Sequence, residues 1–187
     1  MTAALLAPDP LSHTFLAHRQ EVGPEAETGP GIRDLQDEDV VVSRSDLTRT
    51  CFSLQRLTNC TVTLTGVADS LLLDRLTGCT VISSPTRTSV RVFGCSDSRL
   101  SLSCQQLRVS GCSDCRFHIL CSSSPVIESS SRLKFASYDV SHPDLQSDLQ
   151  SCGLSRDSDR GLRVVDFDWL SADKPSPNFT LEEMGQS

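Results

Sequence analysis

An arginine and an amide at alternating positions offer the clearest candidate chemistry in the chain, within the segment Gln105-Gln106-Leu107-Arg108-Val109. Leu107 and Val109 are apolar and alternate with Arg108, which predicts a strand that buries both side chains. Gln106 and Arg108 then lie side by side on the outer face of that strand. A guanidinium group fixed on a rigid strand beside an amide suits the stabilisation of negative charge on a partner's transition state. The same pattern also fits ordinary surface charge, and spacing alone does not separate the two interpretations.

A second candidate is the segment Cys112-Ser113-Asp114-Cys115, which has the spacing of half a zinc site or of a redox pair. The sequence contains no second pair with this spacing and no pair of histidines that would complete a tetrahedral site. The pattern also indicates no Ser-His-Asp or Cys-His triad, so a hydrolase is disfavoured. We therefore interpret both cysteines as structural and expect no metal. The histidines are scattered along the chain: His13, His18, His118 and His142.

An internal repeat supplies the elements that would position these side chains. The segment Leu57-Thr58-Asn59-Cys60-Thr61-Val62 returns, nearly unchanged, as Leu76-Thr77-Gly78-Cys79-Thr80-Val81. The cysteine position continues at similar steps as Ser98, Cys115 and Ser131. A period below about 20 residues is too short for helix-pair repeats but suits one coil of a β-solenoid. The chain is therefore predicted to be all-β, a right-handed parallel β-helix of about five coils.

Alignment of the copies places apolar or small residues in columns that would stack as ladders inside the solenoid. One column, two residues after the repeated cysteine position, contains Val62, Val81, Leu100, Phe117 and Leu133. Five cysteines also occupy ladder positions and are predicted to be buried and reduced: Cys60, Cys79, Cys95, Cys112 and Cys115. On the outer face, Arg91 holds the position one coil before Arg108. The two arginines are thus predicted to lie about 5 Å apart, forming a positive spot on an acidic protein.

The rest of the chain divides into a tail and one domain. Residues 1–30 are rich in Pro, Gly and Glu without periodicity and are predicted to be a flexible tail. Residues 31–187 form the domain, with the coils at 46–137 and a first strand or short helix within 32–45, where Val40–Val42 covers the open end. Residues 138–187 are predicted to pack back on the solenoid as a covering segment. Their apolar residues are Tyr138, Leu145, Leu149, Leu154, Phe167, Trp169, Leu170 and Phe179.

Composition argues against several classes of function. The net charge of −7 and the pI of about 5.0 disfavour nucleic acid or an anionic membrane as the main partner. No apolar run is long enough to cross a bilayer, and the N-terminal segment lacks the basic flank of a secretory signal. We therefore expect a cytoplasmic protein whose nine cysteines are reduced.

The Gln105-Gln106-Leu107-Arg108 segment, within a cysteine- and serine-rich β-helix, resembles the QQxR signature of the cofactor C-like (C-CAP) domain family. The resemblance extends from Gly29 to Asn178. Three further motifs resemble the tubulin-folding cofactor C branch rather than the retinitis pigmentosa or adenylyl-cyclase-associated branches. They are Ser151-Cys152-Gly153-Leu154, Asp166-Phe167-Asp168-Trp169-Leu170 and Ser176-Pro177-Asn178.

This resemblance implies a GTPase-activating role on β-tubulin, together with tubulin-folding cofactors D and E. It also implies that Arg108 is an arginine finger and that Gln106 is its catalytic neighbour. We further expect Arg91 and Gln105 to contact the partner. GTP would be bound by the partner, so we expect neither a cofactor in this chain nor catalysis of its own. We also expect a monomer that is located in the cytoplasm and associated with the cytoskeleton. We expect it to bind no nucleic acid and to have no stable association with membranes.

Two alternatives remain open at this point. The chain could activate a small Arf-like GTPase through the same Arg108, or it could bind tubulin or actin without catalysis. N-myristoylation requires a glycine directly after Met1, and this chain has Thr2 there. This argues against a membrane-anchored activator of a small GTPase. Full-length members of the family carry an N-terminal helical bundle that binds tubulin, which residues 1–30 do not resemble. We therefore expect a fragment, a short isoform or a shortened homologue.

Overall fold

The computed structural model describes residues 29–156, 162–171 and 173–182. Residues 1–28, most of the predicted flexible tail, lie outside the described residues. The described residues form fourteen short strands and two helices. The strands are β1 (Gly31–Arg33), β2 (Asp39–Val42), β3 (Cys51–Gln55), β4 (Thr61–Leu64), β5 (Ser70–Asp74), β6 (Thr80–Ser83), β7 (Ser89–Phe93), β8 (Arg99–Cys104), β9 (Gln106–Ser110), β10 (Arg116–Cys121), β11 (Val126–Glu128), β12 (Leu133–Ser137), β13 (Val165–Asp166) and β14 (Phe179–Leu181). The helices are α1 (Arg44–Leu47) and α2 (Leu145–Ser151).

Alternate strands build two parallel sheets, so that each turn of the chain adds one strand to each sheet. The first sheet has the order β1-β3-β5-β7-β9-β11-β13, and the second has the order β2-β4-β6-β8-β10-β12-β14. The result is a parallel β-helix of about six turns, which confirms the predicted fold class. It has one turn more than the repeat indicated, because β1 and β2 pair with β3 and β4. The segment Val40–Val42 is thus a strand of a complete turn.

Left-handed backbone at one corner of each turn explains part of the repeat. A residue one or two positions before each of the strands β2, β4, β6, β8, β10 and β12 has a positive φ of 51–64°. Glycine, asparagine and aspartate tolerate this conformation best, which accounts for the residue types at most of these corners. In chain order the corner residues are Asp37, Asn59, Gly78, Asp97, Asp114 and Arg132.

The predicted apolar column forms the centre of the core. Parallel pairing places Val62 beside Val81, Val81 beside Leu100 and Leu100 beside Phe117. All four side chains are completely buried. The column prediction is therefore confirmed for four of its five members.

The fifth member of the column was placed wrongly. Leu133 does not continue the column but follows the Cys115 position, and Phe135 lies beside Phe117 instead. The two rings stack with centroids 5.0 Å apart and planes 15° apart. The last step of the repeat is longer than the alignment assumed, since Ser131 pairs with Ser113 and not with the Cys115 position. A shift of two residues keeps every side chain on the same face of its strand, so the alternation of apolar residues could not reveal it.

The five ladder cysteines are buried as predicted, each with 1–2 % of its surface exposed. All nine cysteines lie within the described residues, and none of them forms a disulfide. Their thiols repeat one contact, in which Sγ donates to the carbonyl oxygen two residues earlier, as from Cys60 to Thr58 and from Cys115 to Ser113 at 3.3 Å. Burial raises the pKa of Cys115 to about 12, so this thiol stays protonated at neutral pH.

Residues 138–156, here called the strap, pack across the outside of the solenoid. With Leu120 of β10 they form a second apolar cluster, whose strap members are Tyr138, Leu145, Leu149, Cys152 and Leu154. The predicted covering role is confirmed for this segment, and Phe179 also packs against the main core. It is wrong for Phe167 and Leu170, which are 54 % and 94 % exposed. Within the described ranges, no helix has both the length and the apolar character needed to cross a bilayer.

Candidate functional site

The predicted pair of arginines is present on the outer face of the first sheet. Arg91 on β7 and Arg108 on β9 are direct partners in the parallel register, and both are exposed. Leu107 and Val109, on either side of Arg108, are each only 1 % exposed. Gln106 is exposed on the same face of β9 as Arg108. The strand thus presents the amide and the guanidinium group on one face, as the alternation predicted. The neighbouring strand, which carries Arg91, lies about 4.8 Å away.

The two arginines line a shallow cleft of about 380 Å³. Leu72 precedes Arg91 in the same outward column, and Val126 follows Arg108. Phe93, Ser110 and Glu128 form the next outward column and complete the wall. Sequence reasoning missed these flanking residues. Leu72 could have been found one copy of the repeat before Arg91, whereas Val126 was hidden by the misplaced last copy.

The cleft concentrates positive charge on an acidic chain. Two like charges at paired positions of adjacent strands destabilise a sheet, and the formal net charge of the chain is −7. Glu128 contributes a carboxylate at one edge of the cleft, on the strand after Arg108. A partner that brings negative charge into the cleft would interact favourably with both guanidinium groups. The arrangement is therefore suited to an anionic group on a partner.

Strand β13 extends the same face with apolar side chains. Val165 pairs with Val126, which places it in the outward column of Arg108, and it is 43 % exposed. Phe167 follows directly after β13 and donates its backbone N–H to Ile127. Exposed apolar area therefore borders the cleft on the side of β13.

The carboxylate of Asp166 holds the polypeptide around β13 in place. It accepts hydrogen bonds from Ser176 Oγ and from Asn178 Nδ2, the latter at 2.8 Å, and from the backbone N–H of Asp168 at 2.9 Å. Two motifs of the family resemblance, around Phe167 and around Pro177, thus meet at this carboxylate. Trp169 closes the same loop by donating Nε1–H to the carbonyl oxygen of Lys174 at 2.8 Å.

Gln105 lies apart from the other predicted site residues. It occupies the corner between β8 and β9, and its side-chain amide donates to the carbonyl oxygen of Cys152 in the strap at 3.2 Å. The structure therefore brings Gln106, Arg108 and Arg91 together on one face and places Gln105 against the strap.

A larger cleft of about 720 Å³ lies along the second sheet, and its charges are internally compensated. Arg116 and Lys134 share the carboxylate of Glu182, at 3.1 and 3.4 Å. Arg132 donates two hydrogen bonds of 2.6 Å to Asp114. The cations Arg116, Arg132 and Lys134 of the second cleft are thus each paired with a carboxylate.

His118 belongs to the anchoring of the strap. Its Nδ1 lies 3.2 Å from Asp139 Oδ2, and Asp139 also accepts from Ser101 Oγ at 2.9 Å and from Arg99. Burial lowers the pKa of His118, which favours the neutral ring at neutral pH. Among the described residues, no group of three or more His, Cys, Asp or Glu side chains is placed to hold a metal ion.

Comparison with known proteins identifies relatives of this chain. The sequence model of the family described as "Tubulin binding cofactor C" matches residues 49–167. A protein from Mus musculus named "Tubulin-specific chaperone C" is 35 % identical over 162 residues, which cover 87 % of this chain and 48 % of the relative. "Tubulin-folding cofactor C" of Arabidopsis thaliana is 33 % identical over 152 residues, covering 81 % of this chain and 44 % of the relative. The chain thus spans about half the length of these curated relatives.

A solved structure shares the fold. "Tubulin Binding Cofactor C from Leishmania major" superposes with a TM-score of 0.56 and 20 % sequence identity, covering 62 % of this chain and 80 % of that one. At this level of identity the likeness concerns the fold alone. The match of the family model to residues 49–167 and the identity to the mouse and plant relatives show the relationship directly. The chain belongs to the tubulin binding cofactor C family.

Proposed function

We propose that this chain is a tubulin-folding cofactor that stimulates GTP hydrolysis by β-tubulin, with Arg108 supplied in trans as an arginine finger. The observation that carries the proposal is the register of Arg108 with Arg91 in an exposed cleft, on a strand fixed by the buried Leu107 and Val109. The names of the relatives, which refer to tubulin, support the choice of partner. Tubulin-folding cofactors D and E would act with it in the cytoplasm, close to the cytoskeleton.

The chemistry of phosphoryl transfer fits the geometry of this site. Negative charge spreads over the transferred phosphoryl group, so catalysis depends on positioning and neutralisation more than on covalent chemistry. A guanidinium group supplied by a partner gives about 10³- to 10⁵-fold in rate, which corresponds to roughly 4–7 kcal/mol of transition-state stabilisation. Here β-tubulin would hold the GTP, Arg108 would neutralise the developing charge, and Gln106 would orient the reacting groups beside it.

Single-turnover GTP hydrolysis tests the proposal. The rate would be measured on tubulin with cofactors D and E, without this chain, with the wild-type chain and with Arg108→Ala. We expect stimulation by the wild type and none by the variant, whose fold should be intact because the side chain of Arg108 is exposed. Equal stimulation by Arg108→Ala and by the wild type would contradict the proposal.

A binding role without catalysis is the second candidate, and the apolar side of the cleft favours it. Val165 and Phe167 offer exposed area for a protein partner next to the arginines. In this case the Arg108→Ala variant would bind tubulin as tightly as the wild-type chain, and neither would change GTP turnover. Replacing tubulin by a small Arf-like GTPase in the same assay separates the remaining alternative, since only the true partner would show turnover that depends on Arg108.

A further inference from the structure

The corner at Gln105 is held by hydrogen bonds to three different parts of the chain. Its backbone N–H donates to the carbonyl oxygen of Thr88 in the preceding turn at 2.9 Å, and Gln106 N–H donates to the same oxygen at 3.1 Å. Its own carbonyl oxygen accepts from Ser123 in the following turn, from Oγ at 2.7 Å and from N–H at 3.1 Å. Its side-chain amide donates to Cys152 in the strap. The first residues of β9 are therefore fixed before the chain reaches Arg108.

The contact between Gln105 and Cys152 satisfies a carbonyl group at the end of α2. The last carbonyl groups of a helix have no partner within the helix and need donors from elsewhere. Here Arg87 Nη1 donates to the carbonyl oxygen of Ser151 at 3.0 Å, and Gln105 Nε2 donates to that of Cys152 at 3.2 Å. The other side of the helix is held by Arg44, which donates two hydrogen bonds of 2.9 Å to the buried carboxylate of Asp148.

This contact also joins two separate motifs of the sequence. Gln105 begins the Gln105-Gln106-Leu107-Arg108 segment, and Cys152 belongs to Ser151-Cys152-Gly153-Leu154, far along the chain. Both glutamines are exposed, but Gln106 lies on the outward face beside Arg108, whereas Gln105 donates its side-chain amide to the strap. They are therefore suited to different tasks.

We propose that Gln105 is a positioning residue, which couples the C-terminal end of α2 to the strand that carries Arg108. It acts through the backbone of β9 and does not contact the partner. This inference rests on the proposed function for its effect on GTP turnover. Its structural part, the coupling of the strap to β9, can be measured on the chain alone.

The test uses substitutions that keep the shape of Gln105 and change its ability to donate. Gln105→Met removes the donor, Gln105→Glu places a carboxylate against the carbonyl oxygen, and Gln105→Lys restores a donor. Gln106→Met is the matched control, since it makes the same chemical change at the adjacent outward residue. Amide hydrogen exchange would be followed by mass spectrometry in peptides that cover residues 145–152 and 106–110.

We expect exchange of both segments to rise about 3- to 10-fold in Gln105→Met, which corresponds to the loss of one hydrogen bond. The rise should be larger in Gln105→Glu and small in Gln105→Lys, and Gln106→Met should leave the exchange of residues 145–152 unchanged. In single-turnover assays Gln105→Met should lower the maximal rate on the order of 10-fold, with the half-saturating concentration unchanged, because a misplaced finger loses an interaction made only in the transition state.

The outcomes separate this inference from the proposed function. Unchanged exchange in both Gln105→Met and Gln105→Glu would overturn the coupling. Raised exchange with a wild-type maximal rate would overturn the positioning role of Gln105 in turnover. If the wild-type chain shows no turnover that depends on Arg108, the proposed function is wrong, and so is the catalytic consequence of Gln105. The exchange series would then still decide whether Gln105 couples the strap to β9.

Discussion

Arg108 illustrates how a single side chain is prepared for a task by its two neighbours. Leu107 and Val109 are buried in the ladder, so the backbone between them cannot rotate without breaking the core. The guanidinium group leaves this fixed point and lies in the cleft beside Arg91. Nothing in the core depends on it, so its chemistry can be changed without loss of the fold.

Arg108→Lys should therefore lose most of the roughly 10³- to 10⁵-fold stimulation expected of an arginine finger. Lysine keeps the charge, but a compact ammonium group cannot reproduce the planar set of donors of guanidinium. Gln106→Ala should be milder, because an amide orients more than it neutralises. Single-turnover rates would measure both effects, with the midpoint of thermal unfolding as the control for folding. A lysine variant as active as the wild type would show that charge alone is sufficient.

The buried thiols predict a loss of stability in alkaline solution. Burial raises the pKa of Cys115 to about 12, and it also raises the pKa of Cys79 and Cys152. A raised pKa in the folded state means that the stabilisation is complete below the pKa of the unfolded thiol, near 9. It is then lost as the pH rises from that value through the folded pKa, by at most about 1.4 kcal/mol per pH unit for each thiol.

Urea unfolding at a series of pH values from neutral to alkaline would measure this loss. Cys115→Ala should unfold at lower urea throughout, because it leaves a small cavity, but its stability should fall less steeply above pH 9. A slope identical to that of the wild type would show that Cys115 does not contribute to the alkaline transition.

At the scale of elements, the strap and the solenoid are held together by contacts that no local sequence pattern predicts. Arg44 and Asp148 are far apart in the sequence, and Tyr138 donates to the carbonyl oxygen of Ser83 at 2.6 Å. The apolar residues of the strap indicated that it would pack on the solenoid, but not on which side. Strand β13 has only two residues, which is too short for any alternation to be read.

Leu149→Ala should release the strap while the solenoid stays folded. Leu149 is 1 % exposed in the second apolar cluster, and such a truncation costs about 2–5 kcal/mol. Hydrogen exchange should quicken in residues 145–152 and remain slow in β4, β6 and β8. Leu170→Ala is the matched control, since Leu170 is 94 % exposed and its loss should change stability by less than about 0.5 kcal/mol. Equal acceleration across the solenoid would show that the strap and the coils unfold as one unit.

At the scale of the whole molecule, the cleft is a local positive field on a chain of net charge −7. Such a field guides the encounter with an anionic partner surface, whereas the rest of the acidic surface opposes it. Arg91 is the residue in which this field effect can be separated from chemistry, because it lies beside the proposed finger and not at its position.

Arg91→Ala should weaken association with tubulin several-fold at low salt and less at high salt, since the screening length falls from about 10 Å at 0.1 M to about 3 Å at 1 M. The maximal rate of GTP hydrolysis at saturation should change little. Arg132→Ala alters the net charge equally but lies in the second cleft, so it should affect binding less. Binding measured against salt concentration checks this expectation. An effect of Arg91→Ala that is the same at all salt concentrations would argue against a role through the field.

The repeat made most of the fold and the central part of the site predictable. Columns such as Val62, Val81 and Leu100 recur with the same residue types at a nearly constant step, and the position of Arg108 follows from Leu107 and Val109. What escaped prediction has more than one cause. The contact of Gln105 with Cys152 joins residues from distant parts of the sequence, whereas the two-residue shift in the last copy leaves the alternation of apolar residues unchanged.

The corners of the solenoid also bear on how such a chain can change in length over evolution. Successive left-handed corner residues are unevenly spaced, since Asp97 and Asp114 lie closer in sequence than Gly78 and Asp97, and the strands between them still pair in register. Each strand pairs with the strands of the turns before and after it, so a residue gained or lost at a corner is absorbed locally. The corners at Arg87 and Gln105 differ, because both are tied to the strap as well as to the neighbouring turns. Insertions and deletions should therefore accumulate at the other corners and spare these two, which keeps the distance from the strap to Arg108 constant.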